Sequence, residues 1–157
     1  MFLEGILAVS GQSGLFKLIS TGKNNVLVES LQTKKRIPVF NTSLISRLEN
    51  VSVFTYSEDL FLAQIFIKIF KQSNGEAIFK DKPASNSELL DFFESIMPEY
   101  NKERVYISDI KKVISWYNFL LEKEIITAES IKEAEEAEEA KQTEEIKETE
   151  QTEETEP

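Results

Sequence analysis

Apolar and polar residues alternate through the first third of the chain, and the spacing turns helical after it. Leu3 to Ser10 puts Leu3, Leu7 and Val9 on one face of an extended segment and Ile6 and Ala8 on the other, the period of a strand. Gly11 to Gly14 is a turn cluster. Leu15 to Thr21 is a second strand, with Phe16 and Leu18 opposite Leu15, Lys17 and Ile19. Gly22-Lys23-Asn24-Asn25 closes a hairpin with residue types that tolerate positive φ. Val26 to Leu31 and Arg36 to Phe40 follow as strands around the polar turn Thr33-Lys34-Lys35-Arg36. Pro38 has no N–H for a ladder, so either the fourth strand lies on an edge or Pro38 faces away from the ladder. Asn41 to Glu49 changes period: Leu44, Ile45 and Leu48 predict one or two helical turns. Val51 to Tyr56 alternates again as a fifth strand. Five short strands with one helical turn before the last is the order of an SH3-like β-barrel, an analogy of fold that carries no function.

The helical part begins at Ser57-Glu58-Asp59, whose carboxylates suit a helix N-terminus. Through residues 60–72 the polar positions Gln64, Lys68, Lys71 and Gln72 form one narrow stripe, so this helix is expected to be buried on most sides. Ser73-Asn74-Gly75 stops it, and residues 76–83 read as a linker with a short extended piece at Ala77-Ile78-Phe79. Ser85-Asn86-Ser87-Glu88 fits a capping box, followed by Leu89, Phe92, Phe93 and Ile96 on one helical face, and Pro98 ends that helix. Arg104 to Ile107 looks extended. Ser108 or Asp109 is the expected cap of a third helix carrying Ile110, Val113, Ile114, Tyr117 and Leu121 on one face.

Charge divides the 157 residues into three. The net charge is −10, and residues 128–157 alone hold 13 Glu and 3 Lys. Residues 1–57 carry 6 basic and 3 acidic groups, and residues 58–127 carry 9 basic and 12 acidic groups. With Ile131 and Ile146 as its sizeable apolar side chains, the Glu-rich segment is expected to be disordered, with room for nascent helix through Ala134, Ala137 and Ala140. It has three readings: a solubilising tail, a tether for a basic partner, or a mimic of nucleic acid folding back on the basic head. The chain has no Cys and no His, which removes thiolate and imidazole chemistry. Met1-Phe2-Leu3-Glu4-Gly5 lacks the basic start of a signal peptide, and no apolar run approaches the roughly 18 residues of a membrane span. A soluble cytoplasmic protein, without membrane contact, is the expectation.

Motifs with chemistry are few. Gly11-Gln12-Ser13-Gly14 has the G-x-x-G spacing of a phosphate-approaching loop, but it joins strands rather than helices and reads as a turn. Ser20-Thr21-Gly22-Lys23 lacks the earlier glycine and the following helix of a Walker A loop. The helix from 108 to 124 carries Lys111 and Lys112 but offers little else as a base-reading face. Glu58-Asp59 and Glu122/Glu124 are the obvious carboxylate pairs, and both sit at expected helix ends where charge is solvated. Asn41-Thr42-Ser43 and Asn50-Val51-Ser52 match glycosylation acceptors, idle without secretion. Lys34, Lys35 and Arg36, with Lys17, Lys23 and Arg47, are the candidate binding surface; basic groups beside aromatics such as Phe16, Phe40, Phe54 and Tyr56 are how small barrels hold single strands. A net of +3 is a weak basis for such binding.

The stretches Ser10-Gly11, Gly14-Leu15-Phe16-Lys17-Leu18-Ile19-Ser20, Val28-Glu29-Ser30-Leu31, Lys35-Arg36-Ile37-Pro38 and Ile45-Ser46 resemble the N-terminal domain of an uncharacterised Bacteroidota family, named only as a domain of unknown function. The resemblance runs to about residue 126. It implies a small SH3-like barrel joined to a compact helical domain, and it assigns no activity or site residues.

The expectation is an α+β chain: an SH3-like β-barrel over residues 1–57, a small mostly helical domain over 58–127 and a disordered acidic tail over 128–157. The expected function is a non-enzymatic protein-interaction module without a cofactor, its partner another protein reached through the apolar 60–70 helix where part of it remains exposed. The alternative is a nucleic-acid or ribosome-associated protein using the basic turn at 34–36. Oligomeric state is not legible in the sequence.

Overall fold

The computed structural model describes residues 2–154, with side chains described over 2–146. Its strands are β1 (Ile6–Val9), β2 (Phe16–Thr21), β3 (Val26–Ser30), β4 (Arg36–Val39), β5 (Ile45–Arg47), β6 (Ser52–Val53) and β7 (Leu60–Phe61); its helices are α1 (Leu62–Ser73), α2 (Asn86–Ile96), α3 (Ile107–Glu122) and α4 (Ala128–Glu154). The class is mixed α+β: five strands form one antiparallel sheet in the order β4-β3-β2-β1-β5, and β6 pairs with β7 apart from it.

Alternation decides which side chains each face receives. One face of the five-stranded sheet buries Leu7, Val9, Phe16, Val28 and Val39, with Leu18, Val26, Ile37 and Ile45 packed around them. The other face contributes Ile6 to a second core, which also holds Leu3, Leu15 and Leu31 from the strand ends and the apolar faces of all four helices. Sheet and helices therefore share a core.

The sheet corrects two expectations. Its last strand is β5, where a helical turn was expected; residues 42–44 and 48–50 form single 3-10 turns on either side of it. Leu44, Ile45 and Leu48 satisfy helical spacing, yet three residues suffice to pair Ile45, Ser46 and Arg47 with Val9, Ala8 and Leu7. The expected fifth strand shrinks to Ser52–Val53 and pairs with Phe61 and Leu60 instead. Because β4 and β5 occupy the two edges and do not pair with each other, the sheet is not closed into the expected barrel. Pro38 does lie on an edge strand. The hairpin at Gly22–Asn25 closes with Gly22 N–H donating to Asn25 C=O at 2.8 Å, without positive φ. The left-handed residue falls at Lys34 (φ 63°), in the next turn. Ser30 builds that turn: its buried hydroxyl accepts from the N–H groups of Gln32 (3.2 Å) and Thr33 (3.1 Å).

The helices fall near their sequence signals, but Ser57-Glu58-Asp59 does not open the first one: Leu60 and Phe61 pair as β7, and α1 starts only at Leu62. In α1, Leu62, Ala63, Ile65, Phe66, Ile67 and Ile69 are buried, and Asn74 ends the helix in the left-handed conformation. Ser85 caps α2 by accepting from Glu88 N–H at 3.2 Å. α3 starts one residue before the expected caps. Tyr106 precedes it, and Asp109 reaches back from the first turn to accept the Tyr106 N–H at 3.0 Å. The linker between α1 and α2 is a turn with Phe79 at φ 54° rather than an extended piece. Asn118 fastens it with two 2.8 Å hydrogen bonds to the N–H and C=O of Ile78.

The acidic tail departs furthest from expectation. Residues 128–154 are helical, where disorder was expected. Thr127 and Ser130 exchange side-chain bonds to each other's N–H (3.1 and 2.8 Å), which satisfies two of the free donors at the helix start. Ile131 and Ala134, three positions apart and so on one face, are buried in the shared core. A single turn of apolar contact anchors the helix.

Tyr117 gives this core a pH signature. It is fully buried in α3, its hydroxyl donates to Glu76 C=O at 3.3 Å, and Ser73 Oγ lies 3.1 Å away. Burial pushes its phenol above the ordinary tyrosine value, against the opposing effect of Ser73. The neutral phenol is thus favoured in the folded state. Its contribution is intact below about pH 10, the unfolded value, and is lost as pH rises through the folded one. The tyrosinate absorbance lost on Tyr117→Phe should place the ionisation of Tyr117 above that of free tyrosine. Tyr117→Phe should flatten the alkaline fall in stability while costing about 1 kcal/mol at neutral pH. Ionisation of Tyr117 at or below the value of free tyrosine would contradict this.

Candidate functional site

The six basic residues singled out in the sequence are all exposed, but the fold does not gather them. Lys17, Glu29 and Arg36 are register partners across β2, β3 and β4, so a carboxylate stands between two of the cations. Glu29 also lies 3.8 Å from Arg36. Lys34 and Lys35 sit in the β3–β4 turn, and Lys23 lies in the hairpin at the opposite end of β3. Arg47 is on β5, the far edge of the sheet, 3.7 Å from Glu49.

The deeper features lie where the helices meet. Two hollows of about 550 and 440 Å³ adjoin at Leu60 and Lys68, which line both. Together they make a groove across the start of α1. Its construction is local. Thr55 pairs with Tyr100 in an isolated bridge, Tyr56 N–H donates to Glu99 C=O at 3.0 Å, and Asn101 N–H donates to Phe54 C=O at 2.9 Å. These bonds fix the β6–β7 connection against the end of α2. The Thr55 hydroxyl donates to Glu58 C=O and accepts from Ser57 N–H, tightening the turn that presents Glu58. Phe61 N–H donates to Gln64 Oε1 at 3.0 Å and starts α1 directly after β7.

Apolar residues floor the groove and carboxylates border it. Leu60, Ile96, Met97 and Tyr100 line the larger hollow, with Glu58 and Glu99 at its border. Leu60 and Ile67 continue into the smaller one, whose other wall is α4 with Glu135, Glu138 and Glu139. Lys71 forms an ion pair with Glu135. Among the described residues, Glu58, Glu99, Glu138 and Glu139 form no ion pair, and Lys68 is the one remaining cation lining the groove. Four carboxylates against one ammonium leave a net of −3. Two aromatic rings near this end of the molecule are open to solvent, Phe61 at 54% and Tyr56 at 65%.

A smaller cleft of about 260 Å³ lies between β6 and α3, walled by Phe54 and Trp116, with the Arg104 guanidinium 3.8 Å above the Phe54 ring. Among the described residues, no group of three or more acidic side chains is placed to hold a metal ion. No helix there is long and apolar enough to cross a membrane.

Sequence reasoning found the groove only in part. It placed the apolar helix at 60–72 and its polar stripe, but gave no sign that Gln64, Lys68 and Lys71 would share a hollow with α4. Glu99, Glu138 and Glu139 had no signal of their own. The available signal was the Thr127–Ser130 pair followed by Ile131 and Ala134, which marks a capped helix with an anchoring face.

Comparison with known proteins matches this organisation. A Domain of unknown function (DUF5606) covers residues 3–48, and a Domain of unknown function (DUF6852) covers residues 51–120. A solution NMR structure of a Bacteroides vulgatus protein, from the Northeast Structural Genomics Consortium, is similar at 36% identity with a TM-score of 0.64, over 80% of this chain and 89% of that one. The chain belongs to the family of that protein and carries the two domains of unknown function in series. No curated protein matches it. The two matched regions meet at the 3-10 turn Leu48–Asn50, so β6 falls with the helices it packs beside.

Proposed function

We propose that this protein is a non-enzymatic, cytoplasmic protein-interaction module, and that its ligand-binding surface is the groove across the start of α1. The observation that carries the reading is the groove's lining: the half-buried Leu60 joins two hollows backed by the core residues Ile67, Ile96 and Met97 and lined by Glu58, Glu99, Glu138 and Glu139. The N-terminal half serves as its scaffold. The strand order β4-β3-β2-β1-β5, with a 3-10 turn just before β5, supports reading that half as an open SH3-like barrel. The origin of the similar protein supports a Bacteroidota family. The nucleic-acid reading draws less support, because the basic side chains it needs are dispersed and two of them stand beside carboxylates.

Calorimetric titration of the full chain tests the reading. The ligands are amphipathic peptides that share one apolar pattern and differ in flanking charge, together with mixed-sequence single-stranded RNA and DNA. At least one peptide should bind. Leu60→Ser should weaken it about tenfold, the equivalent of roughly 1.5 kcal/mol of lost apolar burial. Silence with every peptide, beside salt-sensitive nucleic-acid binding that Lys34→Ala/Lys35→Ala/Arg36→Ala weakens, would replace this reading with the alternative.

A further inference from the structure

The charge lining the groove identifies the kind of segment that fits it, an inference that rests on the groove being the binding surface. We infer that the partner presents a basic amphipathic segment, and that α4 is the acidic arm that engages it. Glu58 and Glu99 line the larger hollow, and Glu138 and Glu139, from α4, line the smaller one that adjoins it at Leu60 and Lys68. None of the four is neutralised by an ion pair among the described residues. An amphipathic ligand carrying Lys or Arg along its length meets carboxylates in both hollows while its apolar face covers Leu60, where the hollows join. An acidic segment would add to four uncompensated charges, and a neutral one would gain only the floor.

The same geometry gives α4 a purpose that its composition alone does not. Its buried anchor occupies one turn, at Ile131 and Ala134, and Glu135 pairs with Lys71. That places Glu138 and Glu139 opposite Lys68 and Gln64. The helix is held closely enough to position two carboxylates, and residues 140–146 beyond them are all exposed. The fixed part of the acidic segment is thus one wall of the groove.

Lys68 makes the inference testable by sign. It is exposed and is the one unpaired cation lining both hollows, so removing it should not disturb the core. The experiment titrates the full chain with two designed peptides of identical Leu pattern, one flanked by Lys and one by Glu. The Lys-flanked peptide should bind at least about tenfold more tightly at low salt, and the gap should narrow as salt rises. Lys68→Gln should tighten the Lys-flanked peptide and weaken the Glu-flanked one, each by about fivefold. Glu138→Gln with Glu139→Gln should weaken the Lys-flanked peptide. Glu133→Gln with Glu136→Gln, an equal charge change at exposed α4 positions that do not line the groove, should leave it unchanged.

Equal effects from the two glutamate pairs would mean that only net charge matters, and would overturn the inference. Equal affinity for the two peptides would overturn it while leaving the groove as a binding surface. Silence with both, and with a neutral peptide of the same pattern, would remove the groove itself.

Discussion

Phe66→Ala is expected to destabilise the folded chain by about 3–5 kcal/mol, a large share of the roughly 5–15 kcal/mol that holds a typical domain. Phe66 is completely buried in α1, and its ring lies 6.1 Å from that of Tyr117 in α3, tilted by 48°. It belongs to the core that strand-end residues, α1, α2, α3 and the start of α4 share. Truncation would leave a cavity lined by helices on several sides, with no flexible side chain positioned to refill it. Chemical denaturation followed by far-UV circular dichroism would measure the loss. The sheet and the helices should unfold together, because Leu3, Ile6 and Leu15 line the same core. A cost below about 1 kcal/mol would mean that the site collapses freely, contrary to the packing described.

The second large effect concerns the acidic helix. A chain ending at Thr127 should lose about 2–4 kcal/mol, whereas one ending at Gln142 should stay within about 0.5 kcal/mol of the full chain. The first truncation removes Ile131 and Ala134 from the core and uncovers the face they close. It also removes the Ser130 half of the Thr127–Ser130 cap and the Lys71–Glu135 ion pair. The ion pair is partly exposed and contributes a minor part of the total. The second truncation keeps all of these contacts. A disordered tail predicts no difference between the two truncations, so denaturation of both shortened chains separates the readings.

Much of the fold was legible because local signals agreed. Pro38 marked an edge strand, Ser85 and Glu88 marked the start of α2, and Asn74-Gly75 marked the end of α1. The failures arose where two readings shared one pattern. Ile45 to Arg47 is too short for alternation to declare itself, and only pairing with β1 makes it a strand. Lys34 adopts positive φ without being glycine or asparagine because Ser30 holds the turn from inside. In the tail composition outweighed position: thirteen glutamates pointed to disorder with at most nascent helix and concealed one capped turn bearing Ile131 and Ala134. The candidate site was less legible than the fold. Its residues come from β7, α1, the end of α2 and α4, and nothing in the order of the chain joins Glu99 to Glu138. The basic residues that composition highlighted lie on separate strands and turns.

The measurement that tests the account most directly is a map of backbone amide shifts while the full chain is titrated with the Lys-flanked amphipathic peptide. The groove predicts that the largest shifts fall at residues 55–61, 67–68 and 96–100 and along α4 near residues 135–142, with the turn at 34–36 unmoved. Shifts centred on Lys34, Lys35 and Arg36, or on the Phe54–Trp116 cleft, would place binding elsewhere and contradict the central claim.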